Sequence, residues 1–260
     1  MTILQALILG IIQGITEFLP VSSSTHLAVA KRLMGIEPAE WLLYFDLICH
    51  LGTLAAVLTV LWKDVCKILT STRLMALFTL ALLPLIPAYF LLKPFRILWA
   101  DQAGFFLLAT SAMMYFASSC LFSQASAAGG TAPSPTIEEP KWHNVIWIGI
   151  AQSLAVFPGI SRSGWTISMA RMLGWEWREA ARFSFLLSIP AILGGSACET
   201  MHAYHAFVKM PWDICAIGFG ASLVMGMGSV RLFFWMIERK TLKPFAWYCL
   251  AIGLVAMIWF

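Results

Sequence analysis

Glu17, His26, Asp46, His50, Arg162 and Glu199 all stand within or beside long apolar stretches of the chain. An ionisable group at bilayer depth is costly, so each needs a partner or a task. Gln13 and Glu17 are four residues apart and share one helical face. Glu17 comes three residues before Pro20, which puts it at the inner end of a short helix. A run of hydroxyls, Ser22, Ser23, Ser24 and Thr25, then leads to His26. This cluster offers a nucleophile or hydrogen-bond donors, a base, and a carboxylate that could orient the base or hold a divalent cation.

A second cluster centres on Arg162, which lies between Ser161 and Ser163 just after Pro158-Gly159. The turn is expected to start a helix near Ser163, capped by its hydroxyl. A helix N-terminus beside a guanidinium is an anion site, and phosphate suits it. If the two clusters meet, one brings serine, histidine and glutamate and the other a phosphate clamp, as hydrolysis of a phosphoanhydride requires. Structural readings stand beside this one. Arg162 and Glu17 could form a plain ion pair, and the hydroxyls could bond nearby carbonyls or pack helices. Asp46 and His50 could pair with each other or with the hairpin polar groups, and Glu199 reads as interfacial.

The surroundings are those of a membrane protein. Of 260 residues, 60% are hydrophobic and 12% charged, too little charge to cover a soluble domain. The apolar residues form runs near the roughly 20 that cross a bilayer as helix, without the alternation of a barrel strand. The six cysteines form no CxxC pair, so they read as small buried hydrophobes and not as a zinc site or disulfide framework. Trp41, Trp62, Trp99, Trp142, Trp175, Trp177, Trp212 and Trp259 fall near the ends of the apolar runs, as interfacial anchors do. The net charge of +4 gives no sign of nucleic-acid binding. The first residues lack a basic n-region and carry Gln13 and Glu17, so they are kept in the fold and not read as a cleaved signal.

The expected fold is an all-α polytopic membrane protein with six transmembrane helices and two re-entrant hairpins in an inverted-topology repeat. The spans are 41–62, 74–92, 103–122, 181–200, 212–235 and 244–260. The hairpins are 1–34 and 142–173, each a helix, a polar turn and a helix, with arms too short to span. Gly10-Ile-Ile-Gln13 matches Gly149-Ile-Ala-Gln152, and Ser22 matches Ser161 at the same offset. The first repeat is therefore read as 1–122 and the second as 142–260, joined by a flexible Ser-, Ala-, Gly- and Pro-rich connector at 123–141. With the first hairpin entering from outside, most Lys and Arg residues, from Lys63 and Lys67 to Arg239, Lys240 and Lys243, fall on the inner side. Lys31, Arg32, Lys93, Arg96 and Lys209 are left outside. Both termini then face outward.

At the two hairpins the chain resembles the bacterial undecaprenyl-diphosphate phosphatase family, which is also associated with bacitracin resistance. The residues carrying this are Gln13-Gly-Ile-Thr-Glu17-Phe-Leu-Pro-Val-Ser-Ser, His26 and Pro158-Gly-Ile-Ser-Arg-Ser-Gly164, supported by Phe45-Asp-Leu-Ile-Cys-His-Leu-Gly-Thr53 and Phe183-Ser-Phe-Leu-Leu-Ser-Ile-Pro190. The resemblance covers most of the chain and is weakest near 100–140. It implies an inner-membrane enzyme, its site open to the outer face, that recycles the lipid carrier of peptidoglycan synthesis with a divalent cation, Mg2+ or Ca2+. It implies Glu17, Ser23, His26 and Arg162 as catalytic residues, with Glu17 also holding the metal, and Gln13, Ser22, Ser24, Ser161, Ser163 and Gly164 around the substrate. It leaves open whether Ser23 or His26 attacks phosphorus, and a homodimer is left open too. A transporter of polyprenyl phosphate or a small solute is the alternative, because inverted repeats with broken helices also build carriers. Two positions depart from the family pattern. Gln13 stands where many members have glutamate, and Thr25 replaces a glycine with its freedom at positive φ, so the loop tip is expected to bend differently around His26.

Overall fold

The computed structural model describes residues 1–119, 135–203 and 210–259. Among the described residues it is all helical, without a strand. The first half holds α1 (Ile3–Thr16), α2 (Ser23–Leu33), α3 (Glu40–Val60), α4 (Trp62–Thr70), α5 (Thr72–Leu82), α6 (Leu85–Leu98) and α7 (Ala103–Ser119). The second holds α8 (Trp142–Ser153), α9 (Arg162–Met172), α10 (Trp177–Ala203), α11 (Trp212–Ile237) and α12 (Lys243–Trp259). Glu40–Val60, Thr72–Leu92, Trp177–Met201 and Trp212–Ile237 are long and apolar enough to cross a membrane. Ala103–Ser119 and Lys243–Ile258 are apolar but shorter, and 120–122 of the expected third span lie outside the described residues. The chain is an all-α, multi-pass membrane protein. Bulky side chains stay exposed where lipid would meet them, among them Leu4, Phe90, Val224, Trp247 and Ile258.

The hairpin arms are short for physical reasons. α1 starts on a capping box, in which the Thr2 hydroxyl accepts from the Gln5 N–H and the Gln5 side chain accepts from the Thr2 N–H. Gln5 also donates to the Met34 carbonyl at 3.1 Å, closing the base of the first hairpin. In the second hairpin a 3-10 turn, Leu154–Val156, follows α8, and Pro158 then denies the chain an N–H with which to continue. The arms have 14, 11, 12 and 11 residues, against the roughly 20 needed to span.

Each hairpin lies against the opposite half: α1 packs on α11, and α8 packs on α5. The matched glycines permit both contacts. A Cβ on Gly10 would sit 2.6 Å from the Gly218 carbonyl oxygen, and one on Gly149 would sit 2.3 Å from that of Ala81. Elements in matching positions also meet, α3 with α10 and α7 with α12. The core between them is aromatic, with Phe18 edge-on to Phe185 at 5.3 Å and Phe78 against Phe183 at 4.7 Å.

Two details differ from the sequence reading. Trp175 and Trp177 are buried within the protein and do not present their rings to its surface. Trp175 packs on Phe183 at 5.0 Å, an aromatic contact, and the Arg171 guanidinium lies over Trp177 at 4.3 Å, a cation–π contact. Residues 123–134 of the expected connector lie outside the described residues, but its far end is docked. Ile137 is buried and its N–H donates to Glu179 at 3.0 Å. The hydrogen bond from Lys67 holds the exposed Glu138 carboxyl below the usual carboxylate range.

If backbone contact at Gly149 sets this packing, Gly149→Val should cost about 1–3 kcal/mol of stability through overpacking. A lowered melting temperature in detergent would report it. Gly220→Ala is the control, because a Cβ there meets nothing within 4 Å and should leave melting unchanged or raise it.

Candidate active site

The hairpin tips meet. At the first tip, Glu17 through Val21 form turns, and their carbonyls find partners from other elements. Ser229 on α11 donates to the Ile15 carbonyl at 2.8 Å, Ser163 to that of Leu19 at 3.3 Å, and the Cys249 thiol to that of Pro20 at 3.5 Å. At the second tip the Thr110 hydroxyl of α7 is the anchor. It donates to the Gly159 carbonyl at 3.2 Å and accepts from the Ser161 N–H at 3.2 Å and the Trp165 indole at 3.3 Å. One hydroxyl thus uses its whole capacity on the turn. Gly159 has φ 97°, and a Cβ there would be 2.2 Å from the Ala103 carbonyl oxygen, so only glycine fits.

Glu17 is 8% exposed and gathers the polar groups. Its Oε1 receives the Arg162 guanidinium at 2.7 Å. Its Oε2 accepts from the Ser23 hydroxyl at 2.8 Å and the Gln13 amide at 2.9 Å. His50 Nε2 lies 3.6 Å from the same oxygen. The His50 Nδ1 must donate to the Asp46 carbonyl at 2.7 Å, which turns Nε2 toward the carboxylate. The Asp46 side chain is itself held by Lys31 at 2.5 Å. Both carboxylate oxygens of Glu17 are therefore fixed before any ligand arrives.

These groups border a cavity of about 790 Å³. Glu17, Ser22, Ser23, Ser24, His50, Ser161 and Arg162 line its polar end. Leu82, Leu85, Ile86 and Phe90 on one side and Pro190 to Ile192 on the other make its walls apolar, with Tyr89 and Glu199 also among its lining. The Tyr89 hydroxyl donates to Glu199 at 3.0 Å. A polar pocket continuing into an apolar slot fits an amphipathic molecule with an anionic head.

Other expected site residues sit elsewhere. Gln13 is fully buried behind Glu17, Ser163 bridges the tips, and Gly164 faces Pro20, whose Cβ would lie 3.3 Å from a Cβ at that position. None of them lines the cavity. The cap of α9 is Ser161, whose hydroxyl accepts from the Gly164 N–H at 3.2 Å, two residues earlier than expected. His26 is also outside the cavity lining. Its Nδ1 donates to the Ser22 carbonyl at 2.8 Å and its Nε2 meets the Tyr248 hydroxyl at 2.8 Å, with the rings stacked. The imidazole beside Glu17 belongs to His50. Thr25 lies in the first turn of α2, and the positive φ of the tip falls on Ser22 at 67°.

A divalent cation has partial provision here. Among the described residues no group of three His, Cys, Asp or Glu side chains converges to hold one. The Gln13 Oε1 is buried without a partner behind Glu17 and does not line the cavity, so the Glu17 carboxylate is the donor the hairpin tip offers. That donor set suits a cation sharing its shell with a ligand's phosphates and does not make a complete protein cage.

Sequence comparison gives these residues a context. Residues 6–255 match the family described as bacitracin resistance protein BacA. The undecaprenyl-diphosphatase of Protochlamydia amoebophila is 38% identical, covering 100% of this chain and 99% of its own length. That of Methanosphaera stadtmanae is 34% identical over 98% and 97% of the two chains, and that of Halothermothrix orenii 32% identical over 99% and 98%. With a match across nearly its whole length and relatives aligned end to end, this chain belongs to the bacitracin resistance protein BacA family.

Proposed function

We propose that this protein hydrolyses undecaprenyl diphosphate to undecaprenyl phosphate and inorganic phosphate. The observation that carries this reading is the buried Glu17 carboxylate, which holds the Ser23 hydroxyl at 2.8 Å and the Arg162 guanidinium at 2.7 Å at the polar end of an apolar-walled cavity. The names of the aligned relatives support a phosphatase over the transporter alternative.

In this mechanism the diphosphate lies with its terminal phosphate between Arg162 and Ser23 and its prenyl chain in the apolar slot. The guanidinium and the serine-rich tips offset the phosphate charge in a site largely shielded from water. Ser23 Oγ attacks the terminal phosphorus as its proton passes to Glu17 Oε2. The bond to the bridging oxygen breaks, and that oxygen takes the proton from Glu17 as undecaprenyl phosphate departs. Glu17 then removes a proton from water, which attacks the phosphoserine. Inorganic phosphate leaves and the proton returns to Ser23 Oγ. Ser23 is the nucleophile in this reading because it lines the cavity, whereas both His26 nitrogens are engaged away from it. His26 acts by holding the Ser22 carbonyl, and with it the strained turn that aims Ser23. His50 keeps the Glu17 carboxylate in place.

A divalent cation, Mg2+ or Ca2+, would be held by Glu17 together with substrate oxygens, and would neutralise phosphate charge. Ser22, Ser24 and Ser161 are the remaining polar contacts for the head group. The excess of Lys and Arg on one set of loops supports an inner-membrane orientation with both termini outward and the hairpins re-entrant. The cavity then opens to the outer face, because its lining comes from the hairpin tips and from the outer halves of α3, α5–α6 and α10.

Ser23→Ala, Glu17→Ala and Arg162→Ala should each lower phosphate release from a prenyl diphosphate by about 100-fold or more, with unchanged gel-filtration behaviour in detergent. His26→Ala should keep more activity than Ser23→Ala, by about tenfold. Near-normal release by the Ser23 variant, with loss only in the His26 variant, would overturn this assignment of the nucleophile. A chelator should abolish release, and added Mg2+ or Ca2+ should restore it. Full activity in the chelator's presence would remove the cation from the scheme.

A further inference from the structure

Gln152 is the repeat partner of Gln13, yet its surroundings differ. Gln13 has Glu17 four residues on and donates to it at 2.9 Å. Four residues after Gln152 stands Val156, which offers no acceptor. The Gln152 side chain is 1% exposed, lines the cavity, and has neither its Oε1 nor its Nε2 hydrogen-bonded. A buried carboxamide left unpaired is unfavourable and calls for a reason. From the same hairpin, the Arg162 NH1 group is also buried without a partner, although NH2 reaches Glu17. The second hairpin thus turns amide and guanidinium N–H donors toward the cavity with no protein acceptor. Phosphate oxygens are the acceptors that match them.

The position of Gln152 tells which phosphate it would meet. Ser23 and Glu17 sit on the first hairpin and must face the phosphorus that is attacked. Gln152 comes from the other hairpin, at the end of α8, and the cavity residues that follow it are Ala155, Val156 and Phe157. α8 also packs on α5 and α6, whose Leu82, Leu85 and Ile86 line the apolar slot. Gln152 therefore stands where the head-group pocket passes into the tail slot.

Resting on the phosphatase reading above, we propose that Gln152 is a substrate-binding residue whose carboxamide holds the phosphate next to the prenyl chain, the one retained in the product. The test uses the purified full chain in detergent, with farnesyl diphosphate as substrate and farnesyl monophosphate and inorganic phosphate as competing inhibitors. Gln152→Leu should raise KM and the inhibition constant of farnesyl monophosphate about tenfold, the loss expected for one hydrogen bond to a charged group. It should leave inhibition by inorganic phosphate unchanged. Gln152→Glu should weaken both prenyl ligands further, through repulsion between like charges. The melting temperature of Gln152→Leu should stay level or rise, since an unpaired buried amide is removed. Unchanged inhibition by farnesyl monophosphate, or equal weakening of both inhibitors, would overturn the proposal, as would a melting temperature lowered in both variants. A wild-type protein that released no phosphate would instead overturn the phosphatase reading itself.

Discussion

The architecture depends on one contact, the 2.7 Å ion pair between Glu17 and Arg162 that joins the two hairpin tips. Such a pair is a poor source of stability. Removing both charges from water costs several kcal/mol per ion, and a well-packed apolar replacement is often as stable or better. Deleting one partner alone costs about 3–5 kcal/mol, because an uncompensated charge stays buried. The pair therefore argues for chemistry: it holds a carboxylate and a guanidinium ready, in a site where neither has to reorganise. The Ser23 hydroxyl and the Gln13 amide on the other carboxylate oxygen complete the arrangement.

Holding that pair requires irregular backbone deep in the protein, and free carbonyl or N–H groups there would be costly. Side chains from distant helices supply the partners. Ser229, Cys249 and Ser163 take the carbonyls of Ile15, Pro20 and Leu19, and Thr110 takes both an acceptor and a donor of the second turn. The small residues Gly10 and Gly149 let each hairpin arm press against the opposite half. Packing and polar satisfaction thus act on the same few ångströms of tip. The left-handed backbone at Ser22 persists because the His26 ring and N–H both bond its carbonyl, at 2.8 and 3.4 Å.

Much of this was legible in the sequence, because bilayer physics makes polar residues conspicuous. Glu17 and Arg162 stood out as charges in apolar surroundings, and the helical spacing of Gln13 and Glu17 is realised as a hydrogen bond. The position of the imidazoles was not legible. His26 follows the serines in sequence, but one helical turn rotates it away to Tyr248, whereas His50 reaches Glu17 from α3, a contact that local spacing cannot encode. Thr110 was overlooked for a similar reason: a single threonine in an apolar helix carries no signal until the turn it anchors is seen. Trp175 and Trp177 stand near the end of an apolar run, but their burial against Phe183 and Arg171 comes from tertiary packing that position along the chain does not show. Thr25 lacks a glycine's freedom at positive φ, and the tip takes its positive φ at Ser22, just before α2 begins.

The two hairpins share a sequence pattern and, in the proposed mechanism, divide the chemistry. At matching positions the first hairpin has Glu17, Ser22 and Ser23, and the second has Val156, Ser161 and Arg162. Had both halves kept a carboxylate, two like charges would face each other in a low-dielectric site and one would be forced neutral. Had both kept a guanidinium, the carboxylate that serves as base in the proposed mechanism would be missing. Val156 in place of an acid also leaves the Gln152 amide without its neighbour. A symmetric pair of tips could hold an anion, but the proposed mechanism needs an acceptor for the serine proton on one tip and a cation on the other, so it requires that the two hairpins diverge.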